Sequence, residues 1–209
     1  MELSQAEFDK VRQAIAAAEG RTGAEIFAVL ARQSGDYRFA GYFLVVMAAM
    51  LAGLAVAMAA WWRWIDVPPP HFAGAQLALA ATGLALVRLF PQLGLWLVPR
   101  RLRREQAHAN AARQFLAHGI GSTRGRTGVL VFASLAEHYA EIIADRAVAE
   151  RFGQQFWDDA VAMLVERARQ GDIVDGFVTV IGVIGERLAA EFPPGSADTN
   201  ELEDRLVLL

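Results

Sequence analysis

Three carboxylates at four-residue spacing, Glu137, Glu141 and Asp145, stand in the second half of the 209-residue chain. They surround a short apolar stretch, residues 139–144, which reads as the second strand of a hairpin. That places them at the turn and at the strand's end, where open α/β sheets often hold ligands. Hard oxygen ligands suit Ca2+ or Mg2+, so Asp145, Glu141 and Glu137 are the expected metal group. The plainer alternative has Glu141 facing solvent and Asp145 capping the next helix. Asp158 and Asp159 lie opposite the apolar stripe of their own segment and read as solvating groups.

Residues 118–128, HGIGSTRGRTG, have the glycines of a phosphate cradle. A phosphate loop, however, leaves a strand and opens a helix, whereas this one leaves a helical pattern and enters a strand. Arg124 and Arg126 keep anion binding open, because guanidinium matches phosphate oxygens. The competing reading is helix termination followed by a surface loop. His71, His108, His118 and His138 are scattered without metal-ligand spacing, and no GxSxG marks a nucleophile elbow. The absence of cysteine removes disulfides, thiolate ligands and cysteine nucleophiles together. A net charge of −3 argues against nucleic acid as a bulk partner.

The elements that must position these groups are readable in order. Ser4, Glu7, Leu3 and Phe8 form a capping box and staple at the start of a helix, which Gly20 ends. Residues 24–31, AEIFAVLA, have strand density between turn residues. Residues 100–118 are Ala- and Arg-rich and helical. Residues 129–134, VLVFAS, are a strand buried on both faces, antiparallel to 139–144 across a short turn. Residues 154–169 carry Phe156, Trp157, Ala160, Val161, Leu164 and Val165 at helical spacing. A last helix, capped by Asp172, runs to Pro193. This order predicts a three-layer α/β domain around a small mixed sheet.

Between the first two strands lies an apolar block, residues 39–99, in two runs of membrane-spanning length, 39–64 and 72–98. Consecutive prolines at 68–70 are expected to bar helix between them. Arg100, Arg101, Arg103 and Arg104 after the second run, with Arg32 and Arg38 before the first, predict both termini on the cytoplasmic side of a bacterial inner membrane. The first ten residues carry acids where a signal peptide has basic residues. Arg88 is expected mid-span, at about 2.5–3.5 kcal/mol if unpaired, where it either snorkels to the interface or faces a partner chain in a homo-oligomer contact through the hairpin.

Several stretches resemble one family. Residues 22–26 (TGAEI), 125–137 with 141–145, and 197–202 (ADTNEL) are similar to the TPM domain family, the last to its membrane-bound bacterial members. The resemblance implies a Rossmann-like α/β sandwich, with members that act as acid phosphatases and members that bind divalent cations. Asp145-Arg146-Ala147 stands where many relatives have a glycine-rich turn, and many relatives hold the domain outside the cytoplasm. The expected organisation is residues 1–38 and 100–195 as one domain, 39–99 as a transmembrane hairpin, and 196–209 as an acidic, then apolar tail. The expected role is a membrane-anchored binding or scaffolding domain in membrane-protein quality control, with lipid and other membrane proteins as partners and Ca2+ or Mg2+ as its cation. The alternative is a membrane-anchored, metal-dependent phosphatase.

Overall fold

The computed structural model describes residues 3–90, 95, 98–195 and 200–209. Expectations falling on 91–94, 96–97 and 196–199 lie outside the described residues, including much of the far part of the second apolar run and the first half of the ADTNEL stretch. The chain divides into two compact units, Met1–Ser34 with Arg104–Leu209, and Gly35–Arg103.

The first unit is mixed α/β. Helix α1 (Gln5–Glu19) starts with the expected capping box: Glu7 N–H donates to Ser4 Oγ at 3.4 Å and Ser4 N–H to Glu7 Oε2 at 2.7 Å. Strand β1 (Ile26–Ala31) is buried at every residue and leaves Ala24 and Glu25 outside it. Its parallel neighbour is β2 (Val129–Ser134), from Ile26 opposite Val129 to Ala31 opposite Ser134. β2 pairs antiparallel with β3 (Tyr139–Ala144). The apolar end of the tail, expected only as an apolar end, is a strand, β4 (Leu206–Leu208), parallel to β1 on its other side. The sheet order is β3-β2-β1-β4.

Strand alternation sorts the core into two layers. Ile26, Ala28, Leu30, Val129, Val131 and Ala133 face one way, against Val11 and Ile15 of α1 and the last two long helices. Phe27, Val29, Ala31, Leu130 and Phe132 face the other, against Ala111 and Ile120. Ala111 belongs to the helix Arg100–Ala117, which follows the apolar insert.

In the second unit, helices α2 (Arg38–Trp62) and α3 (Pro69–Leu89) are both long and apolar enough to cross a membrane, and only 11% and 6% of their apolar windows are buried. Neither helix is packed as the buried core of the described residues. Two boundaries differ from expectation. The prolines do not bar the helix: Pro68 is the N-cap of α3 and proline occupies its first turn, where a missing N–H leaves nothing unpaired. α3 stops at Leu89 because Phe90, preceding Pro91, leaves the helical region (φ −124°, ψ 79°). Arg88 therefore sits in the last turn of α3, where a cation meets the negative end of the helix dipole. The two helices meet through Gln76 Nε2, which donates to Ala49 O at 3.1 Å. A Cβ on Gly53 would stand 1.8 Å from Gln76 Oε1, so that glycine keeps the bond open.

The remaining elements are α4 (Arg100–Ala117), a 3-10 turn at Ile120–Ser122, α5 (Arg146–Ala149), α6 (Gln154–Arg169) and α7 (Ile173–Glu191). Asp172 precedes α7 but makes no side-chain cap bond. Because β1 lies between β2 and β4, a fragment of residues 100–209 lacks the strand both of them need. It is expected to show no cooperative unfolding in urea. A chain in which a short flexible linker replaces residues 39–99 is expected to unfold in one transition, since loop closure depends only weakly on length.

Candidate functional site

Carboxylates gather where the parallel strands begin. Glu19 closes α1, Glu25 precedes β1 and Asp204 precedes β4, and the three line one open cavity of about 360 Å³ together with Thr22 and Asn200. Glu19 Oε1 accepts the Ile26 N–H at 2.7 Å, while its Oε2 is buried where no N–H or hydroxyl donor reaches it. Burial pushes the Glu19 carboxyl up to about 9 against the opposing Ile26 bond, helped by a hydrogen bond that the protonated carboxyl shares with Asp204 and by repulsion from Glu25 and Asp204. Glu25 is almost wholly buried and accepts the N–H groups of Glu201 and Leu202, each at 3.2 Å. These bonds fix the stretch before β4. Thr22 Oγ1 donates to Phe192 O at 2.7 Å and Thr127 Oγ1 to Gly23 O at 3.0 Å, which anchors the rim.

The glycine-rich loop reaches the same end of the sheet. Arg124 N–H donates to both oxygens of Glu201, at 3.3 and 3.2 Å, so the loop's amide already meets an anion of its own chain. Arg126 is held left-handed at φ 54°, and both arginines are exposed.

At the other end of β1 and β2 sits a buried polar network. Asn110 donates to Ser34 Oγ at 3.3 Å, Ser34 Oγ to Ser134 Oγ at 2.8 Å, and Ser134 Oγ to Glu137 Oε2 through a very short bond. Glu137 Oε1 accepts the Ser34 N–H at 2.9 Å. Glu137 thus ties the exit of β1 to the exit of β2.

The three carboxylates expected to share a cation are separated. Glu137 lies in the turn before β3 and Asp145 after its end, roughly 17 Å or more apart along the strand. Asp145 caps α5, with Oδ1 accepting Arg146 N–H at 2.6 Å. Glu141 bonds His108 Nδ1, at 3.0 and 2.9 Å, and accepts the Tyr139 hydroxyl at 3.0 Å. Burial and the Glu141 charge push the Tyr139 phenol above its ordinary range. The His108–Glu141 pair could move a proton, yet the adjoining cavity, walled by Phe115, Phe152 and Trp157, is lined by no hydroxyl or thiol. His118 stacks on Phe27 (4.5 Å between ring centres), and burial lowers its basicity. Among the described residues no three His, Cys, Asp or Glu side chains form a ready metal cluster.

Sequence reasoning missed Glu19, Glu25 and Asp204 as a group. The signal was an acid one or two residues before each of two strand-like runs, Glu25 before β1 and Asp204 before β4, but the second run was not recognised as a strand.

Fold and sites together define a mixed α/β domain with a small four-stranded sheet and an inserted pair of apolar helices. Its fold is similar to that of the BA42 protein from the psychrophilic bacterium Bizionia argentinensis, solved by NMR: the TM-score is 0.61 at 17% identity, over 100% of this chain and 97% of that one. At that identity the likeness concerns the fold alone. No protein-family model and no curated protein sequence matches the chain.

Two predictions rest on these carboxylates. Glu19 binds its proton more tightly folded (about 9) than unfolded (4.5), so its contribution to stability is fully present below pH 4.5 and is lost as pH rises toward 9. Glu19→Gln keeps the oxygen for Ile26 and removes the titration. It should flatten the pH dependence of Tm across this window and stabilise the protein at pH 8 by on the order of 2 kcal/mol. Glu137→Ala strands the Ser34 N–H and the Ser134 hydroxyl in the core. It should lower the urea midpoint by the equivalent of roughly 2–3 kcal/mol with an unchanged m-value.

Proposed function

We propose that this chain is a membrane-anchored binding domain of the TPM kind, with a Rossmann-like sandwich held at a bacterial inner membrane by the α2–α3 hairpin. The carrying observation is the exposure of two spanning-length apolar helices inserted in the connection between two neighbouring parallel strands. Trp61, Trp62 and Trp64, all more than three-quarters exposed at the end of α2, fit an interfacial aromatic belt. Arg88, in the last turn of α3, joins the arginines of 100–104 on the side assigned to the cytoplasm. The role is binding or scaffolding of other membrane proteins, in their quality control.

The cysteine-free chain makes topology testable. A cysteine at Val67 should react with an impermeant thiol reagent on intact cells, and one at Gly195, whose added Cβ meets nothing within 4 Å, only after lysis. The reverse pattern would overturn the orientation, and full recovery of the chain in the soluble fraction would overturn the anchor.

The buried Glu19 Oε2, which no N–H or hydroxyl donor reaches and which faces Asp204, supports a cation-dependent role at the Glu19–Glu25–Asp204 cavity. Its oxygen-only donors suit Ca2+ or Mg2+, and a bound cation would take the place of the Glu19 proton and neutralise the crowded acids. Millimolar Ca2+ should raise Tm at pH 8 by mass action and leave Glu19→Gln unmoved. An equal rise in the variant would place the cation elsewhere. Turnover of phosphomonoesters by the full chain, lost in Glu19→Gln or Asp204→Asn, would favour the phosphatase alternative over pure binding.

A further inference from the structure

Strand β3 ends the sheet, with no strand among the described residues paired to its outer side, and all six of its residues are only half-buried. Open cavities follow its length, of about 550, 660 and 480 Å³. The register fixes which backbone groups are free. Asp145 N–H donates to Gly128 O at 2.8 Å. Every second pair inward therefore exchanges hydrogen bonds within the sheet: Leu130–Ile143, Phe132–Glu141 and Ser134–Tyr139. The N–H and C=O groups of Ala140, Ile142 and Ala144 then point outward.

Sheet edges are usually guarded by proline, lysine or an inward charge. Residues 139–144, YAEIIA, hold only Glu141, and His108 and Tyr139 already bond that carboxylate. We propose that this edge pairs with β3 of a second copy, antiparallel about a two-fold axis at Ile142, joining two sheets into one of eight strands.

The pairing is self-complementary in three respects. Only Ala140, Ile142 and Ala144 have outward groups, so the axis falls on Ile142, with Ala140 opposite Ala144 of the other copy. Glu141 then stands opposite Ile143 and not its own image, which avoids a like-charge pair. Finally, α6 lies along β3 with Gln154 and Trp157 beside Ile142–Ala144 and Arg169 beside Tyr139. The two-fold sets Arg169 of one copy toward the Gln154–Asp158 end of the other. A strand-edge contact is small, but anchoring both copies in one bilayer raises their effective concentration. This last point rests on the membrane reading above; the register does not.

The test uses the full chain in its native membrane. Paired residues that exchange hydrogen bonds have Cα atoms about 5.5 Å apart, within disulfide range. Ile142→Cys should cross-link to itself under mild oxidation, about ten-fold more than Ala144→Cys, whose copies would stand roughly 13 Å apart. Co-expressed Ala140→Cys and Ala144→Cys chains should cross-link to each other. Ala140→Pro removes one outward N–H without touching the β2 ladder, and should shift the purified chain from dimer to monomer by native mass. Absence of the Ile142→Cys product, equal yield at Ala144→Cys, or an adduct with a different polypeptide would each overturn the second copy as occupant. A monomeric chain found in the membrane would count against the pairing alone. A self-cross-linked chain found in the soluble fraction would support the pairing and remove the anchor.

Discussion

The fold depends on one strand having partners far away in sequence. β1 is completely buried and pairs on both sides, yet β2 and β4 both come after the apolar insert. Every backbone group of a buried strand must be satisfied, so no part of the α/β unit is complete until the chain has left and returned. The buried network of Asn110, Ser34, Ser134 and Glu137 meets that demand locally. It holds the last residues before the insert, the helix after it and the exit of β2 together by hydrogen bonds.

The two ends of the sheet have acquired opposite chemistry. Where β1 and β2 end, Glu137 is engaged by a hydroxyl and an amide, so its charge goes into holding structure. Where the parallel strands begin, Glu19 has a buried oxygen that no N–H or hydroxyl reaches, so it can bond the neighbouring Asp204 only through a proton the two acids share. A proton can settle that imbalance, and so can a hard cation. The difference between a finished network and an unfinished one separates a structural acid from a candidate ligand here. Both belong to the same residue type.

Legibility in the sequence followed the range of the interactions. The capping box of α1 and the apolar density of β1 and β2 are decided within a few residues, and they stand where expected. The antiparallel pairing of β2 with β3 follows from a short turn. β4 was missed because three apolar residues carry no period of their own; they become a strand only because β1 has a free side. The prolines at 68–70 were read as a barrier when the first helical turn tolerates them, and Pro91 ended α3 earlier than hydropathy suggested. The carboxylate spacing of 137, 141 and 145 was real but did not survive the strand between them. Glu19 and Asp204 are 185 positions apart in sequence, and only the sheet order brings them to one cavity.

The separation of β1 from β2 also has a meaning in time. Synthesis at about 5–20 residues per second leaves β1 outside the ribosome for on the order of 5–20 s before its first partner has been made. Through that interval an all-apolar strand with two open edges is a template for any stray β-segment. The α2–α3 pair is synthesised in that same interval. If it enters the bilayer as it is made, the orphan strand waits beside a membrane surface rather than among other nascent chains.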